Sequence, residues 1–239
     1  MPNYRDEAVV LRTHKLGEVD RILTLLTRQH GQIRAVAKGI RKTTSRFGGR
    51  LEPFTVVDVQ LYEGKNLDTV TQAEQLASYG TYIIEDYQRY TIGSAIVEAA
   101  ERLTREVSSE KHYLLVVGAL RSLAQTEIEP DQILDSYLLR ALSLSGWVPT
   151  LTECVSCGQE PTSFSVQTGA VTCQSCSIPG SIVLGKAGIT HMTNLLSGNW
   201  EEVAKVSDSV RKGVSGSIAG YTQWQLERGL RSMNFVERS

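Results

Sequence analysis

Residues 54–72 read FTVVDVQLYEGKNLDTVTQ and contain two extended runs joined by a tight turn. Val57, Val59 and Leu61 alternate with polar residues, which is the two-residue period of a half-buried β-strand. The Glu63–Asn66 segment between the runs has the Gly and Asn content of a hairpin turn. This stretch therefore predicts a β-hairpin, and with it a β-rich amino-terminal segment.

Three shorter β-compatible runs precede the hairpin, at residues 8–11, 21–27 and 33–38. Five short strands within residues 1–78 are the number and size expected of an OB-type barrel, although an SH3-like barrel is nearly as consistent. From about residue 79 the apolar residues recur at helical spacing. The predicted fold class is α+β: a five-stranded OB-fold domain at 1–78, then a mostly helical domain at 79–239 with an insertion at about 150–180.

The cysteines of the chain form the pattern C-x2-C-x15-C-x2-C, as Cys154, Cys157, Cys173 and Cys176. Two tight turns that each present two sulfurs can complete a tetrahedral thiolate shell for Zn²⁺. Four protein ligands leave no position for a reacting water, so we expect one structural zinc ion in a cysteine knuckle. The alternatives are four unpaired thiols or a redox C-x-x-C pair, which usually occurs singly on a thioredoxin-like frame.

A run of basic residues without any acidic residue lies between two predicted barrel strands. It consists of Arg34, Lys38, Arg41, Lys42, Arg46 and Arg50, with Phe47 among them. Cations of this density suit the phosphates of a nucleic acid, and an aromatic ring can stack on a base. We predict that these seven residues form a nucleic-acid-binding site, because OB-folds often bind oligonucleotides through such loops. The alternative is a solvated loop that keeps the barrel soluble.

Composition and motifs exclude several other classes of protein. The formal net charge of −1 excludes a uniformly basic arm, and no apolar run approaches the ~18–20 residues of a membrane span. The first ten residues carry charges where a signal peptide needs an apolar run, so we expect a soluble cytoplasmic protein. Gly180–Ala187 resembles a nucleotide-binding loop but lacks the Ser or Thr that would hold Mg²⁺.

No catalytic motif is visible, and we expect that the protein is not an enzyme. Asp131 and Asp135 share one face of a predicted helix, but an Asp at a helix start is more often a capping residue than a metal ligand. The residues alone thus lead to a zinc-containing nucleic-acid-binding protein. A transcription or translation accessory factor, or an enzyme whose site is assembled from distant residues, remains open at this point.

Several segments, taken in order, resemble one known family. Residues 14–22 read HKLGEVDRI, residues 37–41 read AKGIR, and residues 146–149 read GWVP. With the four cysteines, these are similar to the bacterial recombination mediator RecO. The resemblance implies an OB-fold, a helical carboxy-terminal domain and, in zinc-bearing members, a four-cysteine site.

The same resemblance implies a function in DNA repair and recombination. Members of this family bind single- and double-stranded DNA and anneal complementary strands. They engage RecR and the acidic tail of single-stranded-DNA-binding protein, and help to load RecA. The resemblance therefore implies a non-catalytic mediator associated with the nucleoid.

Overall fold

The computed structural model describes residues 3–105, 110–227 and 229–236. Its amino-terminal segment is a closed five-stranded barrel in which the strands follow the order β1-β2-β3-β5-β4. Neighbouring strands are antiparallel except β3 and β5, which are parallel. The predicted OB-fold barrel is confirmed. The strands are β1 Asn3–Leu16, β2 Asp20–Thr27, β3 Gln32–Ala37, β4 Thr55–Tyr62 and β5 Asp68–Ser78.

The strands are longer than the apolar runs that predicted them. Residues 12–16, which are polar except for Leu16, extend β1 because they pair with residues 20–24 of β2 in a hairpin. The pairing gives the backbone N–H and C=O groups hydrogen-bond partners even where the side chains are exposed. A pattern of apolar side chains therefore does not show where such a strand ends. Conversely, β4 begins at Thr55 rather than at residue 54, because Phe54 adopts a positive φ of 67°.

The connection between β3 and β4, residues 38–54, has no helix or strand but is part of the barrel core. Three of its apolar side chains, Ile40, Phe47 and Leu51, are buried in the same cluster as the inward-facing residues of the strands. Burying each large apolar side chain contributes about 1.5–3 kcal/mol. The 38–54 loop is therefore anchored by burial although its polar residues face solvent.

In the part of the chain that the structure describes, seven helices follow the barrel, with short 3₁₀ segments at Gln174–Cys176 and Ser232–Phe235. The helical pattern that begins near residue 79 is broken into two helices, because the Asp86 carboxylate accepts a 2.8 Å hydrogen bond from the Arg89 N–H and starts a new one. The helices are α1 Gly80–Ile83, α2 Tyr87–Leu103, α3 Glu110–Gln125, α4 Pro130–Leu144, α5 Gly185–Ser197, α6 Trp200–Val203 and α7 Asp208–Gln225.

The cysteine segment between α4 and α5 contains a small three-stranded sheet in the order β7-β6-β8. Its strands, β6 Ser163–Ser165, β7 Ala170–Thr172 and β8 Ile182–Val183, are too short for a period-two pattern to predict.

The chain packs as two compact units, residues 1–126 and 127–239. The helices α1 to α3 belong to the first unit together with the barrel. The predicted end of the first domain at residue 78 coincides with the change from strand to helix. As a domain boundary, residue 78 stays a prediction. Within the described residues, no helix has the length and apolar character needed to cross a membrane.

Candidate metal centre and nucleic-acid interface

The structure brings the four cysteine sulfurs together in the second unit. All four Sγ atoms lie within 4.8 Å of one another, and none takes part in a disulfide. The Sγ of Cys157 lies 3.7 Å from those of Cys173 and Cys176. A tetrahedral site with Zn–S bonds of about 2.3 Å separates its sulfurs by roughly 3.8 Å. The cysteine cluster therefore fits a metal ion held by four thiolates.

Local backbone geometry places the two cysteine pairs. In the first, the N–H groups of Cys157 and Gly158 donate to the Cys154 carbonyl at 3.3 and 2.8 Å. In the second, the Cys176 N–H donates to the Cys173 carbonyl at 3.2 Å. Each pair thus lies in a tight turn that directs both sulfurs to one point, as the C-x2-C spacing predicts.

The two turns meet because the β6–β7 hairpin returns the chain to its starting point. The Val155 N–H donates to the Val171 carbonyl at 3.2 Å, which fixes the first turn beside the strand that leads into Cys173. Gly169, with a φ of 65°, supplies the reversal between the strands. The last ten residues of the fifteen-residue spacer in the cysteine pattern thus form one hairpin.

The sulfurs interact strongly with their surroundings. The Cys173 N–H, with those of Ser156 and Cys157, lowers the pKa of the Cys154 thiol to about 6. The neighbouring Cys173 and Cys157 side chains raise the pKa of Cys176 to about 12. Four thiolates this close repel one another, and a divalent cation at their centre removes that repulsion.

The six predicted cations all lie in the barrel unit and are exposed. Arg34 is on β3, and the other five are on the 38–54 loop: Lys38, Arg41, Lys42, Arg46 and Arg50. Two of them make contacts within the loop, where Arg50 Nη1 donates to the Arg46 carbonyl at 3.1 Å and the Arg46 guanidinium lies 4.9 Å from the Phe47 ring centroid. The surface predicted to bind nucleic acid is thus open to solvent along the loop.

The predicted base-stacking role of Phe47 is wrong. Its side chain is only 1% exposed and packs in the barrel core with Leu51 and Leu61. The sequence alone does not distinguish an aromatic ring that points outward among cations from one that points inward and anchors the loop. Here the Phe47 ring fills the barrel core below the loop. The Arg46 guanidinium lies over the solvent side of the ring.

The 38–54 loop is joined to the β1–β2 turn, residues 17–19. The Arg41 N–H donates to the Val19 carbonyl at 2.9 Å, and Arg41 Nη1 donates to the Glu18 carbonyl at 2.8 Å. The Gly39 N–H donates to Asp20 Oδ1 at 2.7 Å. Arg41 thus positions the turn, and only part of its guanidinium remains available for a phosphate.

Sequence reasoning missed the contribution of this turn. Residues 15–21 and 38–52 together carry seven basic and three acidic residues, a net charge of +4. Lys15 and Arg21 belong to this surface although they lie outside the basic run, and Arg21 pairs with Glu52 at 2.6 Å. A signal was available, because alternate connections of an antiparallel meander lie at the same end of the sheet. We call the exposed surface of residues 15–21 and 38–52 the basic end of the barrel.

Comparison with known proteins gives matches along nearly the whole chain. Residues 1–79 match the family model described as "Recombination protein O N terminal", and residues 84–234 match "Recombination protein O C terminal". The chain belongs to the RecO family. A DNA repair protein RecO of Nocardioides sp. is 49% identical over 98% of this chain and 99% of the relative. Those of Thermobifida fusca and Streptomyces griseus are 48% and 47% identical over the full length of both chains.

Membership of the RecO family supports a role for the chain in DNA repair and recombination. The carboxylates considered above for metal binding do not offer an open site. Asp131 and Asp135 are 1% and 2% exposed, and burial raises the pKa of Asp131. Arg211 Nε lies 3.6 Å from Asp131 Oδ2. In this RecO-family chain, α4 therefore buries its acidic pair inside the second unit.

Proposed function

We propose that the protein binds single- and double-stranded DNA at the basic end of the barrel and anneals complementary strands without a nucleotide cofactor. The observation that carries this proposal is the joining of the cationic 38–54 loop to the β1–β2 turn at one end of an OB-fold barrel. RecO-family membership supports the nature of the ligand. The acidic knuckle, in contrast, lacks the charge for it, since residues 141–185 contain two Glu and no Lys or Arg.

Annealing follows from the charge distribution. Two complementary strands repel each other through their phosphates, and a surface that neutralises both backbones lowers the barrier to their encounter. The basic end carries a net charge of +4 on a chain whose formal net charge is −1. Limited total affinity for the backbone then allows the protein to leave the finished duplex.

The test combines an annealing assay with the salt dependence of binding. Complementary oligonucleotides are mixed with the purified protein, and duplex formation is followed by fluorescence with and without ATP. We expect annealing that does not need ATP and that decreases with rising salt in parallel with binding. Changing Lys38, Lys42 and Arg46 together to Ala should flatten the slope of log K against log salt by about 2, from ~0.7 per phosphate contact on single strands.

A matched control removes the same charge elsewhere. Lys65, Lys111 and Lys212 are exposed and lie outside the basic end; their triple Ala variant should keep the slope of the unmodified protein. Equal slopes in both triple variants would move the binding surface away from the basic end. A strict requirement for ATP hydrolysis, or no acceleration at saturating protein, would refute the annealing proposal.

We also propose that the metal in the cysteine knuckle is one structural Zn²⁺. Cys154, Cys157, Cys173 and Cys176 would hold it, and a shell of four thiolates leaves no coordination position for substrate. Its chemistry is therefore the crosslinking of residues 150–180. Elemental analysis of protein purified without chelator should give one zinc per chain; iron in place of zinc would contradict the assignment.

On the basis of the family resemblance, we propose RecR and the acidic tail of single-stranded-DNA-binding protein as partners in loading RecA at the nucleoid. The test is annealing of strands coated with single-stranded-DNA-binding protein, with or without its acidic tail. Loss of annealing only when the tail is removed would support the contact. A footprint confined to one promoter sequence would instead support a transcription factor.

A further inference from the structure

We propose that Leu16 and Val19 form an apolar edge that packs against the unpaired bases of a DNA strand bound at the basic end. This inference rests on the proposed DNA-binding function and extends it from the phosphates to the bases. Both side chains flank or belong to the β1–β2 turn, residues 17–19, and they are 39% and 38% exposed. We call this pair the turn edge.

The turn edge is identified by elimination among the apolar residues of the basic end. Residues 15–21 and 38–52 are all described by the structure, and their other large apolar side chains are buried: Ile40, Phe47 and Leu51. Burial of Phe47 removes the aromatic ring that the sequence offered for base stacking. Any apolar contact to a base at this surface therefore falls to Leu16 and Val19.

Hydrogen bonds hold the turn edge against the cationic loop. The Val19 carbonyl accepts a hydrogen bond from the Arg41 N–H at 2.9 Å, and the carbonyl of the preceding residue, Glu18, accepts one from Arg41 Nη1 at 2.8 Å. The Gly39 N–H fixes Asp20 at 2.7 Å. Because the turn and the loop share these bonds, a strand whose phosphates lie along the loop meets an apolar edge whose position is already set.

The charges around the edge favour a polyanion as its occupant. Lys15, Lys38 and Lys42 are exposed, and none of them makes an ion pair within the parts of the chain that the structure describes. An isolated exposed Leu is ordinary in a folded protein. Here, however, two apolar side chains lie beside three lysines that make no ion pair. The apolar side chains can contact bases while the lysines contact the phosphates between them.

Aliphatic side chains are suited to unstacked bases rather than to a duplex. Each base has an apolar face that a single strand leaves accessible to a side chain. In a duplex those faces are covered by stacking. The turn edge should therefore favour single strands and leave duplex binding, which depends on phosphates, unchanged.

The experiment compares an ordinary oligonucleotide with an abasic one of the same length, which keeps the phosphates and lacks the bases. The variant Leu16→Ser with Val19→Ser should bind the ordinary strand about fivefold more weakly at every salt concentration, with the salt slope unchanged. It should bind the abasic strand and a duplex as the unmodified protein does. A 2-aminopurine in the ordinary strand should show a smaller fluorescence change on binding to the variant.

Leu76→Ser with Leu114→Ser is the matched control, since both side chains are 50% exposed and lie in the same unit outside the basic end. It should bind all three DNAs normally. Unchanged affinity of the Leu16/Val19 variant for the ordinary strand, or equal weakening on the abasic strand, would overturn the inference. Altered self-association of that variant without altered DNA binding would also overturn it, by making the turn edge a protein contact.

The outcomes for the two proposals are distinguishable. If the unmodified protein binds neither the ordinary nor the abasic strand, the proposed function itself fails. If the lysine and arginine variants flatten the salt slope while the Leu16/Val19 variant behaves normally, DNA binding stands and the turn edge is rejected.

Discussion

The cysteine knuckle and the 38–54 loop are two irregular segments that are held in place by opposite means. Residues 150–180 converge on four sulfurs that fit a metal ion. The 38–54 loop has no cysteine, and it is held by burial of Ile40, Phe47 and Leu51 and by the hydrogen bonds of Arg41 to the β1–β2 turn. A metal shell concentrates the stability of a segment at one point, whereas burial distributes it over several side chains.

This difference determines what each segment can expose. In the knuckle the cysteine ligands have a fixed role, and two of them, Cys154 and Cys173, are buried. In the 38–54 loop the three apolar anchors point inward and leave the cations free to face solvent. The loop can therefore present a charged surface to solvent, while the cysteines of the knuckle face one another.

Removing a metal ligand should produce the largest difference in stability between the cysteine knuckle and the 38–54 loop. Changing Cys173 to Ser should abolish metal binding, which in zinc-binding domains contributes about 10–16 kcal/mol to folding. Hydrogen exchange should then accelerate in residues 150–180 and stay unchanged in the barrel. Metal content and exchange measured on the same preparation provide the test.

Ser175→Ala is the control for that variant, because Ser175 is exposed and lies in the same turn as Cys173 and Cys176 without offering a thiolate. It should keep one metal per chain. If loss of the metal also accelerated exchange in the 38–54 loop, the two segments would not be held independently.

The second effect tests the anchoring of the 38–54 loop. Changing Phe47 to Ala should lower the free energy of unfolding of the barrel by about 3–5 kcal/mol, since the side chain is fully buried. Metal content should not change. Urea unfolding followed by circular dichroism gives the measurement, and Arg46→Ala, which removes only the exposed neighbour, should cost far less. Normal stability with lost DNA affinity in Phe47→Ala would restore the stacking role that the structure rejects.

The two segments also differ in how far the sequence could predict them. The cysteine site was predictable because the geometry of each C-x2-C turn is local, and only the hairpin that joins the turns had to be supplied by the fold. The cations of the loop were equally visible. The direction of Phe47 was not, because it depends on closure of the barrel. The participation of Lys15 and the β1–β2 turn could be inferred only from the order of the strands, because no pattern within residues 15–21 shows that the 38–54 loop lies beside them.

A smaller effect is expected from the bonds between the loop and the turn. Changing Arg41 to Ala removes the guanidinium bond to the Glu18 carbonyl but leaves the backbone bond to Val19 intact. One such hydrogen bond contributes about 1 kcal/mol, so amide exchange in residues 17–19 should rise by roughly fivefold. Lys42→Ala removes an equal charge without touching the turn and should leave that exchange unchanged. Equal exchange in the two variants would mean that Arg41 does not position the turn.

The smallest expected effect is the pH dependence of stability that the buried His191 gives to the second unit. His191 on α5 is 3% exposed, and burial, with a smaller contribution from Arg211, lowers its pKa. The unfolded chain then binds this proton more readily than the folded one, so stability is complete above the ordinary histidine pKa of about 6.5 and decreases as the pH falls below it. One proton limits the slope from this group to about 1.4 kcal/mol per pH unit.

His191→Gln should reduce the slope of stability against pH between pH 7 and 5 in metal-saturated protein, whereas His14→Gln, at an exposed position of β1, should not. The 38–54 loop contains neither histidine nor cysteine, so its hydrogen exchange should stay constant over the same range. A pH slope that survives His191→Gln would assign the acid sensitivity to other groups, either the thiolates of the knuckle or His112 on α3, whose pKa burial also lowers.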